Sequence, residues 1–156
     1  MHILLLLLIF NSYNRNNIMD ISYFWDNFKK DDGLTRSLGI EFINTPDPDT
    51  LQAKMLVCDK NKQPFGVLAG GASLSMAENL TGVGSMAVCP GYIAVGINVN
   101  GTHVKPAYIG DVVTAYGKLV HKGKTLHVWH VDIKNQNGEL ISTIQVTNYL
   151  MPNPKL

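Results

Sequence analysis

A long stretch in the middle of the chain is almost free of charge. Between Gln63 and Val104 the only Asp, Glu, Lys or Arg is Glu78, although 16% of the whole chain is charged. Charged side chains are seldom buried without a partner, so a stretch that lacks them is suited to being covered by other parts of a fold. This stretch therefore constrains the fold strongly, and its single carboxylate needs an explanation.

Part of this stretch has the pattern of a buried helix. The segment from Gly71 to about Ala87 contains no proline, has the length of a helix and carries apolar residues on more than one face. A helix that is apolar nearly all round is typically enclosed by the rest of the domain. Three small residues lie on the same side of the predicted helix as Glu78, namely Ser75, Gly82 and Ser85. They leave room beside the carboxylate.

Strand patterns flank the predicted helix. Before it, "GIEFINTPDPDTLQAKMLVCD" gives two short extended runs around a turn, which predicts a hairpin. After it, "YIAVGINVNGTHV", "GDVVTAYGKLV", "TLHVWHVDI" and "GELISTIQVTNYLM" predict four strands in an antiparallel meander. In the first of these, Ile93, Val95, Ile97 and Val99 alternate with small or polar residues. Such a pattern favours an α+β domain in which an antiparallel sheet curls around one central helix.

The size and charge of the chain limit its partners. At 156 residues the chain is most simply one domain, and a net charge of +1 gives no electrostatic case for nucleic acid or an anionic membrane. We therefore expect a small-molecule partner or a second copy of the chain. Cys58 and Cys89 form neither a disulfide framework nor a metal motif, which favours reduced thiols and a cytoplasmic location. His127 and His130 lie on opposite faces of one predicted strand, which argues against a shared metal site.

The beginning of the chain has a different character. The apolar run from Ile3 to Phe10 is too short to span a bilayer, and it has neither a basic start nor a small-x-small cleavage site. Met19 stands directly before "DISYFWDNFKK", which follows the helix N-cap pattern at Asp20 and predicts a short amphipathic helix. We expect residues 1–18 to be an extension and residues 19–156 to be the domain. A targeting segment is the alternative.

Several motifs together resemble a known family. They are the "G-x-x-x-GG-A" at the start of the helix, the mid-helix acid, the "N-x-N" strand with "HVKPA" after it, and the following "GDV". From about Leu34 to Met151 the chain resembles the hotdog-fold thioesterases, in the branch of the phenylacetate-pathway (PaaI-like), 4-hydroxybenzoyl-CoA and 1,4-dihydroxy-2-naphthoyl-CoA thioesterases. The resemblance implies a hotdog fold and an acyl-CoA thioester hydrolase that needs no cofactor or metal. It also implies a homodimer or homotetramer with active sites at the dimer interface.

The chemistry of thioester hydrolysis suits particular residues. It needs a nucleophile or a base for water, and donors for the developing oxyanion. Glu78 can be nucleophile or base, because a carboxylate in apolar surroundings is poorly solvated. Gly71 begins the helix, where unpaired backbone N–H groups favour negative charge. The resemblance assigns the Gly71 amide to the thioester carbonyl and gives Gln63 a role in placing the thioester or the attacking water.

The resemblance also implies a cradle for coenzyme A. Lysines on it are suited to phosphates, and a glycine in its turn lets backbone amides approach closely. The implied contacts are Gly70, Gly96, His103, Val104, Lys105, Pro106, Val120, His121, Lys122, Gly123, Lys124 and Thr125. For the acyl group the resemblance points to an aryl ester, either 1,4-dihydroxy-2-naphthoyl-CoA of menaquinone biosynthesis or a phenylacetyl-type ester.

Two positions depart from the family pattern. Many members have a histidine where this chain has Ala69, and a Ser or Thr where it has Gly82; Thr81 comes one position early, which turns its hydroxyl about 100° around the helix. These departures keep open a non-catalytic domain that binds or senses acyl-CoA. A hotdog hydratase or dehydratase is a third reading, but those enzymes pair a His with an acid, and no His lies between Lys62 and Thr102.

Overall fold

The structure is a computed structural model that describes Met19, Ile21 and residues 33–153. The helix predicted after Asp20 and the extension 1–18 lie outside these residues. Met19 and Ile21 are both buried, and the Met19 N–H donates to the Thr45 carbonyl at 2.9 Å. The described residues form two helices and six strands, which are α1 Gly33–Leu38, β1 Glu41–Ile43, β2 Thr50–Leu56, α2 Gly70–Val88, β3 Tyr92–His103, β4 Val112–Lys122, β5 Leu126–Lys134 and β6 Leu140–Pro152.

All six strands form one antiparallel sheet in the order β1-β2-β4-β5-β6-β3. The predicted hairpin is confirmed as β1 and β2, and β4, β5 and β6 form a meander. The prediction that β3 belongs to this meander is wrong, because β3 pairs with β6 and not with β4. The loop between His103 and Val112 makes this possible, since crossing three strand spacings takes only about 14 Å. Strand β3 is consequently an edge of the sheet.

The alternation predicted for β3 is interrupted. The register against β6 shifts between Gly96 and Asn98, so Ile97 has no partner in the ladder. After this bulge, the side chains at odd positions no longer share the face they had before it. Val95 is 39% exposed and Ile97 57% exposed. The edge strand therefore presents apolar side chains to solvent.

The long helix α2 packs across the concave face of the sheet and confirms the predicted buried helix. Met76, Ala77 and Leu80 have no accessible surface. At Gly84 a Cβ atom would lie 2.8 Å from the Trp129 ring, so only glycine lets the helix approach the sheet this closely. The covering is incomplete, however, because Gly71 and Glu78 are exposed in the single chain.

In the part of the chain that the structure describes, neither helix is long and apolar enough to cross a membrane. Cys58 and Cys89 are free thiols.

Candidate active site

Two pockets lie along α2, one at its start and one near its middle. We call them the N-terminal pocket and the mid-helix pocket; their volumes are about 270 and 480 Å³. Pockets that enclose a drug-sized ligand measure about 300–1,000 Å³. The N-terminal pocket lies just below this range, and the mid-helix pocket lies in its lower half.

The mid-helix pocket contains Glu78 in apolar surroundings. Its lining comes from α1, α2 and β3 and consists of Leu34, Glu78, Asn79, Gly82, Val83, Met86, Ala94, Val95 and Gly96. No other residue in this lining carries a charge. A nucleophilic or basic carboxylate beside an apolar cavity is suited to act on an apolar acyl group.

Glu78 lies directly over the backbone of Gly96. A Cβ atom at Gly96 would be 3.0 Å from Glu78 Cγ and closer still to its carboxylate oxygen. The glycine therefore makes the space that the carboxylate occupies. Sequence reasoning assigned Gly96 to coenzyme A through the resemblance alone, and the contact with Glu78 was not predicted.

The structure explains the positions of Thr81 and Gly82. Thr81 is fully buried, and its hydroxyl donates to the Glu78 carbonyl of the same helix at 3.1 Å. Gly82 faces the mid-helix pocket, and a Cβ there would meet nothing within 4 Å. Thr81 consequently offers no hydroxyl to the pocket, as its place one position early predicts.

Asn79 is a polar member of this pocket that sequence reasoning missed. Its Oδ1 accepts from Thr35 Oγ1 at 3.1 Å, and its Nδ2 donates to the Ser75 carbonyl at 2.7 Å. These bonds fix the amide between α1 and α2. Only the packing of the two helices identifies it, since an asparagine in a helix carries no motif.

The N-terminal pocket collects polar groups around the start of α2. Ala72 N–H and Ser73 N–H both donate to the Ala69 carbonyl. In the part of the chain that the structure describes, the N–H groups of Gly70 and Gly71 have no acceptor. At a helix N-terminus such amides favour an anion or an oxyanion.

Gln63 and His103 both line this pocket. Gln63 is held by its own N–H, which donates to the Val67 carbonyl at 2.8 Å, and its side-chain Nε2 lies 3.5 Å from the Leu68 carbonyl. His103 Nδ1 lies 2.9 Å from the Oγ of Ser142, which is fully buried.

The other ring nitrogen of His103 is turned toward the helix. A Cβ on Gly70 would be 2.6 Å from His103 Nε2. Ser142 and Ser73, which also line the pocket, were missed because neither stands in a motif.

The structure separates the predicted site residues into three places. Six line the N-terminal pocket, with Gly71 adjoining it; two lie in the mid-helix pocket; and the rest form the turn between β4 and β5 at the opposite end of the sheet. The first group is Gln63, Gly70, His103, Val104, Lys105 and Pro106; the second is Glu78 and Gly96; the third is Val120 to Thr125. One chain thus does not bring Glu78 together with Gly71 and Gln63.

In the described ranges, no group of three His, Cys, Asp or Glu side chains is placed to hold a metal ion.

Comparison with known proteins identifies the family. A family model described as "Thioesterase superfamily" matches residues 65–142, which include both pockets' helix and β3. The chain belongs to the thioesterase superfamily. The predicted thioester hydrolase activity and the predicted α+β hotdog fold are confirmed with it.

Individual relatives of this thioesterase agree. A 1,4-dihydroxy-2-naphthoyl-CoA hydrolase of Escherichia coli is 36% identical over 115 residues, which cover 73% of this chain and 83% of the relative. A solved mutant thioesterase of Pseudomonas aeruginosa is 30% identical with a TM-score of 0.78, over 86% of this chain and 95% of that one.

A third relative has been solved with single alanine substitutions. Structures of this Staphylococcus aureus protein are 32% and 31% identical to this thioesterase, with TM-scores of 0.73 and 0.72; they cover 78% and 76% of this chain and 100% and 98% of those chains. One carries the substitution at a glutamate and the other at a glutamine. In that sequence the glutamine precedes the glutamate by the same number of residues as Gln63 precedes Glu78 here.

Proposed function

We propose that this thioesterase hydrolyses aryl-acyl-CoA esters at a site built by two copies of the chain. Glu78 of one copy would attack the thioester or activate water, and Gly71 and Gln63 of the other would hold the carbonyl. What supports this proposal is that Glu78 lies in one pocket and Gln63, with the start of α2, lies at the other, so neither pocket alone holds both sets of groups.

Strand β3 offers a way to join the two halves. It is an edge strand, and its apolar side chains at Val95 and Ile97 are exposed. An exposed apolar edge strand is a ready template for pairing with another chain. If two copies of β3 pair antiparallel about a twofold axis, the His103 end of each lies beside the Tyr92 end of the other. The N-terminal pocket of one copy then approaches the mid-helix pocket of the other.

The same reversal brings the proposed coenzyme A contacts together. The turn from Val120 to Thr125 lies at the Tyr92 end of the sheet, whereas His103 to Pro106 lie at its other end. Within one chain they are too far apart to share a ligand. Across a pair of β3 strands, the turn of one copy lies at the end where the other copy has His103 to Pro106, and its lysines can reach the phosphates.

Two chemical routes are compatible with this arrangement. As a base, the Glu78 carboxylate takes a proton from water, and the hydroxide attacks the thioester carbon. As a nucleophile, it attacks that carbon itself, and water then hydrolyses the mixed anhydride. In both routes the Gly71 N–H stabilises the oxyanion, the C–S bond breaks and coenzyme A leaves as its thiolate.

The acyl group is proposed from the lining of the mid-helix pocket. The pocket is apolar except for Glu78 and the amide of Asn79, which suits a flat ring carrying a hydroxyl group. The relative named 1,4-dihydroxy-2-naphthoyl-CoA hydrolase acts on an ester of this kind. On this basis menaquinone biosynthesis is the first pathway to test. We further propose that the enzyme works in the cytoplasm as a homodimer or a homotetramer.

Release of free thiol from a panel of aryl- and fatty-acyl-CoA esters tests the proposal. We expect the parent to prefer aryl esters and Glu78→Gln to lower kcat on the order of a thousandfold. Glu41→Gln, an equally isosteric change on exposed β1, serves as the control. A Glu78→Gln enzyme as fast as the parent would contradict the role of Glu78.

Ala69 and Gly82 favour a second function, binding of acyl-CoA with little turnover. Ala69 has no side-chain donor for the thioester, and Gly82 adds no hydroxyl to the mid-helix pocket. Tight binding of acyl-CoA by the parent with no thiol release across the panel is the result that selects this function.

A further inference from the structure

Lys105, at the rim of the N-terminal pocket, is already paired with a carboxylate. Its Nζ forms an ion pair and hydrogen bond with Glu139 Oε1. Lys105 lines the pocket, whereas Glu139 stands just before β6 and does not. Both side chains are partly exposed, at 49% and 41%. The pair is therefore within reach of an approaching ligand and of water.

Glu139 is held in place independently of Lys105. Asn135 Nδ2 donates to Glu139 Oε2 at 2.8 Å, and Asn135 Oδ1 accepts from the Glu139 N–H at 3.0 Å. The hydrogen bonds from Lys105 and Asn135 keep the pKa of the Glu139 carboxyl below its usual range. The turn between β5 and β6 thus fixes a charged carboxylate beside the lysine.

We propose that Glu139 is a built-in competitor for the anionic part of the ligand. This inference rests on the proposed function, in which Lys105 meets a phosphate of coenzyme A. A phosphate must displace or share the ammonium group, and the remaining carboxylate repels it. Glu139 thereby weakens retention of the phosphate-bearing product and favours its release.

Isothermal calorimetry with coenzyme A, which needs no catalysis, tests this competition. In Glu139→Gln the amide keeps the length of the side chain and an oxygen for Asn135, but it removes the charge beside Lys105. Repulsion between two unit charges, on a carboxylate and a phosphate about 6 Å apart in a water-like dielectric, alters Kd about threefold. We therefore expect Glu139→Gln to bind coenzyme A about threefold more tightly. Pantetheine, which has no phosphate, should bind both proteins equally.

Two further variants control for net charge and for the lysine. Glu41→Gln removes the same charge from the exposed pair with Lys54 on β1 and β2, at the far edge of the sheet from β3, and should leave Kd unchanged. Lys105→Gln should weaken coenzyme A binding. Adding Glu139→Gln to Lys105→Gln should raise the affinity by less than Glu139→Gln raises the affinity of the parent. Thermal melts establish that each variant is folded.

The outcomes separate this inference from the proposed function. An unchanged Kd for coenzyme A in Glu139→Gln overturns the competition, whether or not the parent hydrolyses thioesters. If Glu139→Gln binds coenzyme A more tightly than the parent does, and the parent hydrolyses no ester of the panel, the competition is supported and the proposed activity is contradicted. If the parent binds no coenzyme A, the competition is overturned, whereas the proposed activity is decided by thiol release from the panel.

Discussion

The two pockets on α2 differ in the kind of group that they contribute. The N-terminal pocket has backbone amides, Gln63 and a histidine fixed by Ser142, and all of them are suited to hold a polar, charged ligand. The mid-helix pocket has one carboxylate in an apolar lining. A thioester substrate has two parts, namely a polar carbonyl joined to an anionic carrier and an apolar acyl group. Each pocket is therefore suited to one half of such a molecule.

Among changes that leave Glu78 itself in place, the largest expected effect comes from filling the space under its side chain. In Gly96→Ala the new methyl group collides with the Glu78 carboxylate and must displace it. Misplacement of a reacting group by about 1 Å can cost roughly a hundredfold, so we expect kcat to fall by about that factor with Tm little changed.

Glu78→Gln supplies the comparison for this variant. Adding Gly96→Ala to Glu78→Gln should cause little further loss, because the group that the methyl displaces is already inactive. Gly33→Ala, where a Cβ meets nothing within 4 Å, is the structural control. Full activity of Gly96→Ala would show that the position of Glu78 over β3 is unimportant.

A smaller effect is expected when the histidine of the other pocket is displaced. In Gly70→Ala the new Cβ overlaps His103 Nε2, so the ring must turn away from the start of α2. We expect about a tenfold loss in kcat/KM for acyl-CoA, in the range of one positioned hydrogen-bonding group. In a His103→Ala background the same substitution should cost little, and an undiminished cost there would mean that the helix start itself is perturbed.

Adding a hydroxyl to the mid-helix pocket should have a modest effect. Gly82→Ser places a side chain where nothing lies within 4 Å and beside Glu78 on the helix. We expect a rise in kcat of a few-fold from one added hydrogen bond to the attacking group, with no loss in Tm. Steady-state kinetics on the best ester of the panel measure it, and a fall in kcat would mean that the pocket needs this space for the acyl group.

The smallest effect on activity is expected from a histidine that lines neither pocket. Burial, with the nearby charges of Lys122 and His121, lowers the pKa of His127 below its ordinary value of 6.5. The folded protein then resists protonation that the unfolded chain accepts, so stability is full above about pH 6.5 and falls as pH decreases toward the lowered pKa.

Denaturant unfolding at a series of pH values measures this loss. His127→Leu should flatten the curve below pH 6.5, and His121→Ala, whose ring is exposed, should flatten it much less. A curve of the parent that stays level from neutral pH down to pH 5 would contradict a buried neutral His127.

Much of the fold could be predicted because its elements have regular local patterns. The apolar character of residues 71–87 predicts α2, and the alternation of the later runs predicts β4 to β6. The position of β3 could not be predicted, since alternation reports which faces of a strand are buried and not which strand is its partner. The bulge at Ile97 also has no sequence signal.

The site was only partly predictable for the same reason. The stretch with a single charged residue drew attention to Glu78, but it predicted burial, and Glu78 is exposed in the single chain. The contacts of Gly96 with Glu78 and of His103 with Gly70 depend on how α2 lies across β3, which no spacing encodes. The ion pair of Lys105 with Glu139 likewise joins two loops that are distant in sequence.

We expect Glu78 and Gln63 to act together across two copies of the chain, and mixing two inactive variants tests this directly. Glu78→Gln and Gln63→Ala are each purified, combined at equal amounts, allowed to exchange subunits and assayed for thiol release. If each site takes Glu78 from one copy and Gln63 from the other, a mixed dimer has one intact site, and about a quarter of parental activity returns. If both residues of a site come from one chain, every site in the mixture keeps a defect. Activity that stays at the level of the separate variants, with subunit exchange demonstrated, would contradict the account.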